Sequence, residues 1–189
     1  MRYVILFLVL ASLSFAQPLS LGKPNEEKEH SPWLNFGVGL GVLSPFTDSY
    51  KEQGGAFVNP SILLGIQFAE LTAATFDFNL TAPKGGWGLL FGIEQQFIPR
   101  EITPFAEAQF GIRYPGKHRR SVDNSFGDVF GPAAGVNLGV IFFRESQFRL
   151  RLKGGYECIF NKHTDMSWSS GIGVLFAFGQ PGLQAIKVD

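Results

Sequence analysis

The stretch around His163 holds the side chains that a serine hydrolase needs. His163 is followed closely by Asp165, Ser167 and Ser169. In a hydrolase site of this kind, a histidine takes the proton of a serine nucleophile and an acid orients the histidine. Serine and aspartate are also common in loops, and no further motif surrounds these residues. We therefore expect that the protein is not an enzyme, with acyl-transfer chemistry at His163 as the weaker alternative.

A basic cluster lies in a long polar connection earlier in the chain. The segment GKHRRS places four basic side chains next to one another: Lys117, His118, Arg119 and Arg120. Ammonium and guanidinium groups bind phosphates and carboxylates, so the segment is a candidate anion-binding loop. The alternative is a solvated loop that is basic without binding a ligand.

Metal, disulfide and nucleic-acid chemistry have little support in the composition. The three histidines are scattered, so we expect no metal site and no cofactor. Cys158 is the single cysteine, so no disulfide can form within the chain. The chain carries 16 basic and 16 acidic residues, and this balance argues against nucleic acid as a partner.

Other charged residues follow a pattern that predicts the element carrying them. Residues 148–157, FRLRLKGGYE, place Arg149, Arg151 and Lys153 at every second position, with phenylalanine or leucine between them. Alternation with a period of two residues predicts a β-strand that has one apolar face and one charged face.

The first 16 residues have the features of a secretory signal peptide. Arg2 precedes an apolar run, and a small-x-small cleavage site follows at Ser14 to Ala16. The run is too short to span a bilayer as a helix. We therefore expect four parts: a signal peptide at 1–16, a flexible periplasmic leader at 17–32, a folded domain at 33–178 and a short periplasmic tail at 179–189.

Eight segments of the exported chain share the two-residue period, and no helical period competes with it. They cover residues 33–43, 58–68, 71–81, 86–97, 102–114, 129–143, 148–159 and 167–178. Longer connections are expected after the odd-numbered segments and tight turns after the even-numbered ones. Short turns at one rim and longer loops at the other are typical of transmembrane β-barrels.

Composition separates a membrane barrel from a soluble sandwich, which would show the same alternation. Charged residues make up 17% of the chain, and there are 23 glycines and 20 phenylalanines. The polar faces are rich in glycine, alanine and asparagine rather than in the lysine, glutamate and threonine of a solvated face. The sequence therefore predicts an all-β fold, an eight-stranded antiparallel up-and-down transmembrane β-barrel.

The charges on the polar faces nearly balance, which suits a narrow interior where opposite walls can pair. We expect a charge network in this interior, formed by Asp77, Glu94, Glu107, Arg113, Arg149, Arg151, Lys153 and Glu157. The apolar faces would face lipid and carry two belts of aromatic residues. The expected belts contain Trp33, Phe68, Phe97, Phe148 and Phe178 near the short turns, and Trp87, Tyr114, Phe130, Tyr156 and Trp168 near the loops.

The segment SGIGVLFAF, 170–178, combines glycine, alternating apolar residues and a terminal aromatic residue. With the eight-segment pattern, it makes the chain resemble the small outer-membrane β-barrel proteins of Gram-negative bacteria, the OmpA/OmpX-like group. In that group such a closing strand is read by the barrel assembly machinery, which here implies Gly171, Gly173, Phe176 and Phe178 as the assembly signal. Many relatives end at this aromatic residue, whereas here GQPGLQAIKVD follows Phe178.

The resemblance implies an outer-membrane protein with periplasmic termini, a filled polar interior and a structural or surface-interaction role for its outer loops. The implied partners are outer-membrane lipid and lipopolysaccharide, the assembly machinery and an extracellular surface partner, and we expect a monomer. Two alternatives stay open. One is a narrow ion-conducting pore, and the weaker one is a lipid-modifying enzyme of the outer membrane.

Overall fold

The computed structural model describes residues 32–46, 56–83, 85–116 and 129–179. The predicted signal peptide, the basic cluster Lys117–Arg120, nearly all of the leader and all but the first residue of the tail lie outside these ranges. Among the described residues, no helix is both long enough and apolar enough to cross a lipid bilayer.

Eight β-strands form where apolar and polar side chains alternate. They are β1 (Trp33–Pro45), β2 (Phe57–Ala69), β3 (Thr72–Thr81), β4 (Gly86–Gln96), β5 (Ile102–Tyr114), β6 (Gly131–Phe142), β7 (Phe148–Ile159) and β8 (Asp165–Phe178). Their ends differ from the predicted segments by at most two residues.

Every strand pairs with its neighbour in the sequence, and the sheet closes on itself. Closure is made by antiparallel pairing of β1 with β8, which runs from Leu34 opposite Phe178 to Pro45 opposite Ser167. A closed sheet has no strand edge with unpaired backbone groups. The predicted fold class, an eight-stranded antiparallel barrel, is confirmed.

The connections define two ends of the barrel. The inner end carries the turns at 70–71, 97–101 and 143–147, and the outer end carries the connections at 46–56, 82–85, 115–130 and 160–164. The expected difference in length is only partly right, because the outer connection 82–85 is shorter than the inner turn 97–101. Ala82 donates its amide hydrogen to the Val58 carbonyl at 2.9 Å, which holds the outer connection close to the sheet, while Pro99 cannot donate to a ladder.

Side chains alternate between a barrel interior and an outer surface. The outward residues are large and apolar, and the most exposed are Leu138 at 68% and Phe110 at 65%. Arg113 and Arg149 point inward and are each only 1% exposed. The usual arrangement of a soluble protein is therefore reversed, with charge inside and hydrocarbon outside.

Glycines on the inward face make room for larger neighbours. A methyl group added at Gly155 would collide with the Asn137 side chain and the Val136 carbonyl oxygen. At the outward-facing Gly154, the nearest atom to an added methyl group would be the Ser169 carbonyl oxygen at 3.7 Å. The two adjacent glycines therefore have different roles, since only Gly155 is required by close packing.

Aromatic side chains cluster at both ends of the outer surface. Tyr156 and Trp168 make an edge-to-face contact with ring centroids 5.6 Å apart, and Phe46 packs against both rings near the outer end. The expectation that Trp33 belongs to the lipid-facing belt near the short turns is wrong. Trp33 directly precedes the outward-facing Leu34, so alternation turns its ring inward, where it is 6% exposed.

Candidate functional site: the charged interior

The eight charged residues singled out in the sequence all point into the barrel. They come from four strands: Asp77 on β3, Glu94 on β4, Glu107 and Arg113 on β5, and Arg149, Arg151, Lys153 and Glu157 on β7. Seven of them are buried, and Lys153 is partly exposed. Buried charges are costly unless they are paired and hydrogen-bonded, so their contacts determine what the interior can do.

Arg151 occupies the middle of the interior and pairs with two carboxylates. Its Nη2 atom lies 2.8 Å from Glu94 Oε2 and 3.0 Å from Glu107 Oε2. Its guanidinium carbon lies 4.5 Å from the centroid of the Phe105 ring. One arginine thus links β7 to β4 and β5 and closes the centre of the barrel with an ionic cluster.

Neutral polar side chains complete the hydrogen bonding of Glu107. Thr75 Oγ1 donates to Glu107 Oε1 at 2.7 Å, and Asn137 Nδ2 donates to Glu107 Oε2 at 2.9 Å. Asn137 also donates to Gln109 Oε1 at 2.9 Å. These neutral partners were not among the predicted site residues. They occupy alternate strand positions that face the interior, and this alternation could have identified them.

A second ion pair spans the barrel between opposite strands. Lys153 Nζ on β7 lies 2.7 Å from Asp77 Oδ2 on β3. Asn79 Nδ2 donates to the other carboxylate oxygen of Asp77 at 3.3 Å. In an eight-stranded barrel the third and seventh strands face each other, so this pair bridges the interior.

A third ion pair lies nearer to the outer end. Arg113 Nη1 is 2.9 Å from Glu157 Oε2, and Arg113 Nη2 donates to Thr81 Oγ1 at 3.3 Å. The pair joins β5 to β7, with β3 attached through Thr81.

Arg149 lies near the inner end and is held by neutral groups as well as by charge. Its Nη1 atom donates to Asn35 Oδ1 at 3.0 Å. Its guanidinium carbon lies 5.5 Å from the centroid of the Trp33 ring. This contact explains why an inward tryptophan is accommodated beside a charged interior, because an indole face attracts a cation.

Arg144 joins this inner group although it belongs to no strand. It lies in the turn between β6 and β7 and is 5% exposed. Its removal from water lowers the pKa of its guanidinium, and the carboxylates of Glu70, Glu145 and Glu94 counteract that effect. No periodic pattern in the sequence marks this residue, because turn residues do not follow the strand alternation.

Two cavities inside the barrel meet at Arg151. A cavity of about 40 Å³ lies on its outer side and one of about 30 Å³ on its inner side. Asp77, Leu63 and Arg151 line both of them. Each cavity has room for a few water molecules, since one water needs about 10–15 Å³.

The candidate hydrolase residues do not form a site at the lipid-facing rim. Ser167 is 1% exposed, and it and Ser169 have the inward parity of the interior glycines on β8. Asp165 accepts a hydrogen bond from Asn161 Nδ2 at 2.7 Å, and the backbone amide of His163 donates to Asn161 Oδ1 at 3.0 Å. Asn161 thus organises this connection as a turn.

Within the described ranges, no group of three metal-ligating side chains occurs.

The residues of the candidate assembly signal lie on both faces of β8. Gly171 and Gly173 face the interior, opposite Gly41 and Gly39 of β1, and Phe176 and Phe178 point outward. β8 is the last strand, and its pairing with β1 closes the sheet.

No family model matches the sequence, and no curated protein matches it. Solved structures do match. The N-terminal β-barrel domain of Pseudomonas aeruginosa OprF aligns with a TM-score of 0.53 and 12% identity, over 76% of this chain and 97% of that one. Neisserial surface protein A (NspA) aligns with a TM-score of 0.53 and 14% identity, over 78% of this chain and 97% of that one.

Both of these structures are eight-stranded outer-membrane β-barrels. This chain has the same fold. At such low identity the likeness concerns the fold alone, so any role must be argued from the residues of this chain.

Proposed function

We propose that the chain is an integral β-barrel protein of the outer membrane, with a filled polar interior and a structural or surface-interaction role. The observation that carries this proposal is the reversed sidedness of the barrel. Leu138 and Phe110 are more than half exposed, whereas Arg113, Arg149 and Glu107 are almost fully buried.

The outer surface supports a lipid environment. Outward apolar side chains occur on all eight strands, so they form a continuous band around the barrel. Soluble monomers rarely expose contiguous apolar patches above a few hundred Å². Aromatic clusters at both ends of this band, such as Tyr156 with Trp168, match the interfacial girdles of membrane barrels.

The proposed orientation places the inner end in the periplasm. The signal peptide at 1–16 would direct export, and both termini would then lie beside the inner turns. The connections 46–56 and 115–130 would face the outside, where Lys117–Arg120 would meet lipopolysaccharide phosphates or an acidic surface partner. The barrel assembly machinery would recognise the assembly signal on β8, formed by Gly171, Gly173, Phe176 and Phe178. The protein would act as a monomer.

The proposed role is not enzymatic. Ser167 points into the barrel, and Asp165 is hydrogen-bonded to Asn161, so these groups are not arranged to attack a lipid at the outer rim. Replacing His163 with alanine should leave the mass spectrum of the lipid A fraction unchanged. A mass shift that depends on His163 would instead support the lipid-modifying alternative.

Cell fractionation combined with electrophoresis tests the main proposal. The protein should appear in the outer-membrane fraction, and its unboiled form should resist SDS and migrate differently from the boiled form. Recovery in the soluble periplasmic extract, with identical migration before and after boiling, would contradict it.

A narrow ion-conducting pore is the second candidate, and the two cavities that meet at Arg151 favour it. Arg151 closes the path between them through its contacts to Glu94 and Glu107. In planar bilayers, a pore that uses this path should change conductance when Arg151 is replaced with methionine. Absence of conductance in both forms would leave the filled barrel as the remaining interpretation.

A further inference from the structure

Arg144 is buried in a place where turn residues are normally exposed. It lies in the connection between β6 and β7 and is 5% exposed, whereas its neighbour Phe143 is 48% exposed and Glu145 is also exposed. A long cation in a solvent-facing turn would ordinarily extend into water. Its burial therefore calls for an explanation in its contacts.

The side chain of Arg144 reaches across the inner mouth of the barrel. Its Nε atom donates to Gln96 Oε1 at 2.6 Å, and its Nη2 atom donates to the backbone carbonyl of Glu70. Glu70 belongs to the turn between β2 and β3, and four strands separate it from the turn of Arg144 in either direction around the barrel. The contact therefore joins two diametrically opposite turns.

Two glutamines extend this contact into a hydrogen-bonded layer. Gln96 Nε2 donates to Glu94 Oε1 at 2.9 Å and to Gln67 Oε1 at 3.3 Å. Gln67 Nε2 donates to the backbone carbonyl of Ala69 at 2.9 Å. Gln67 and Gln96 are 0% and 2% exposed. The layer lies between the inner mouth and the ionic cluster of Arg151.

The backbone of the turn is held in a costly conformation that orients Arg144. Phe143 has a φ of 58°, in the left-handed region that is unfavourable for a residue with a large side chain. The amide of Arg144 donates to the Glu101 carbonyl at 3.1 Å, and the amide of Glu145 donates to Glu101 Oε2 at 3.2 Å. Glu101 thus fixes the turn so that Phe143 points outward and Arg144 points inward.

We propose that Arg144 is a transverse bar that seals the inner end of the barrel against water and solutes. Arg144 meets the central cluster of Arg151 only through Gln96, which donates to Glu94, and its other contact is to the opposite turn. It would restrict access to the interior from the inner end. The inference rests on the proposed function in one respect, since a seal matters only where a barrel separates two compartments.

The rate of thiol labelling at a position beneath the bar tests this inference. Cys158 is first replaced with serine, and Ala73, which is 3% exposed and lines the inner cavity, is replaced with cysteine. Purified protein in detergent micelles is then treated with a small water-soluble thiol reagent. Arg144→Ser should raise the labelling rate about tenfold, because hydrogen bonds from a charged group that closes the mouth are lost.

Two matched controls separate the seal from general loosening of the fold. Gln147→Ala changes an exposed side chain in the same turn and should leave the labelling rate at position 73 unchanged. A Ser61→Cys reporter lies in the outer cavity, and its rate should not respond to Arg144→Ser. Equal rates at position 73 with and without Arg144 would overturn the inference, and so would an equal increase at both reporter positions.

A second variant keeps the test decisive if Arg144→Ser does not fold. Gln96→Leu removes the acceptor of Arg144 Nε and should also raise labelling at position 73, whereas an unchanged rate would count against the bar. Labelling of purified protein does not depend on where the protein resides in the cell. Failure of the proposed function, seen by fractionation, is therefore distinguishable from failure of the seal.

Discussion

Lys153 and Asp77 meet at 2.7 Å across the barrel, although they belong to the opposite strands β7 and β3. An ion pair that bridges opposite walls occupies the interior instead of lining an open channel. The central cluster of Arg151 and the pair formed by Arg113 and Glu157 fill the interior in the same way. The barrel is therefore stabilised by cross-links between its walls.

The Lys153–Asp77 pair should show strong energetic coupling. We expect that Asp77→Asn and Lys153→Met each lower the free energy of unfolding of the barrel. The loss in the double variant should be smaller than the sum of the two single losses, and the difference, the coupling energy, should be about 1–3 kcal/mol. These free energies are measured by urea unfolding in lipid vesicles. The folded fraction is read from the difference in migration between boiled and unboiled samples on SDS gels. Because the pair is largely shielded from solvent, the coupling should change little with salt. A coupling near zero would show that the two groups do not stabilise each other.

Removal of Arg151 alone should be among the more destabilising substitutions of the interior. Arg151→Met leaves Glu94 and Glu107 buried without their cation, which should cost about 3–5 kcal/mol in the free energy of unfolding. The matched control adds Glu94→Gln and Glu107→Gln to Arg151→Met, and this triple variant should recover much of the loss because no buried charge is left unpaired. A single variant as stable as the parent protein would be inconsistent with the cluster.

Two adjacent glycines provide a test of interior packing. Gly155→Ala should destabilise the barrel by about 1–3 kcal/mol, because the added methyl group meets the Asn137 side chain and the Val136 carbonyl. Gly154→Ala should be neutral or slightly stabilising, since the outward methyl group has ordinary contacts. The same unfolding measurement applies to both variants. Equal changes in the free energy of unfolding would mean that the two positions do not face opposite sides of the sheet.

A charge placed on the outer surface tests whether that surface meets lipid. Leu138→Arg should cost about 2–4 kcal/mol in vesicles, because Leu138 lies well within β6 and a cation there would enter hydrocarbon. Ile102→Arg is the control at the inner end of β5, and we expect a cost of about 0–1 kcal/mol near the interface. In a soluble protein, both exposed positions would tolerate arginine with little change. Similar small effects at the two positions would therefore argue against the membrane proposal.

Part of the architecture was predictable from local patterns, and part was not. The eight strands followed from alternation, but the expected rule for connection lengths was only partly right, because the outer connection 82–85 is shorter than the inner turn 97–101. Trp33 was assigned to a lipid-facing belt by its residue type, whereas its position one residue before Leu34 turns it inward. In a strand, parity decides facing more strongly than hydrophobicity does.

The amino-acid sequence by itself determined the number of strands and their two faces, because successive side chains of a strand point to opposite sides of the sheet. Only the closed barrel decided which charges meet, since the stagger of the strands sets which inward residues share a level. Arg151 could have paired with several acids, and closure brought Glu94 and Glu107 to it. Arg144 shows the same limit outside the strands, because its place across the inner mouth depends on a turn conformation and on the opposite turn, neither of which has a periodic pattern in the sequence.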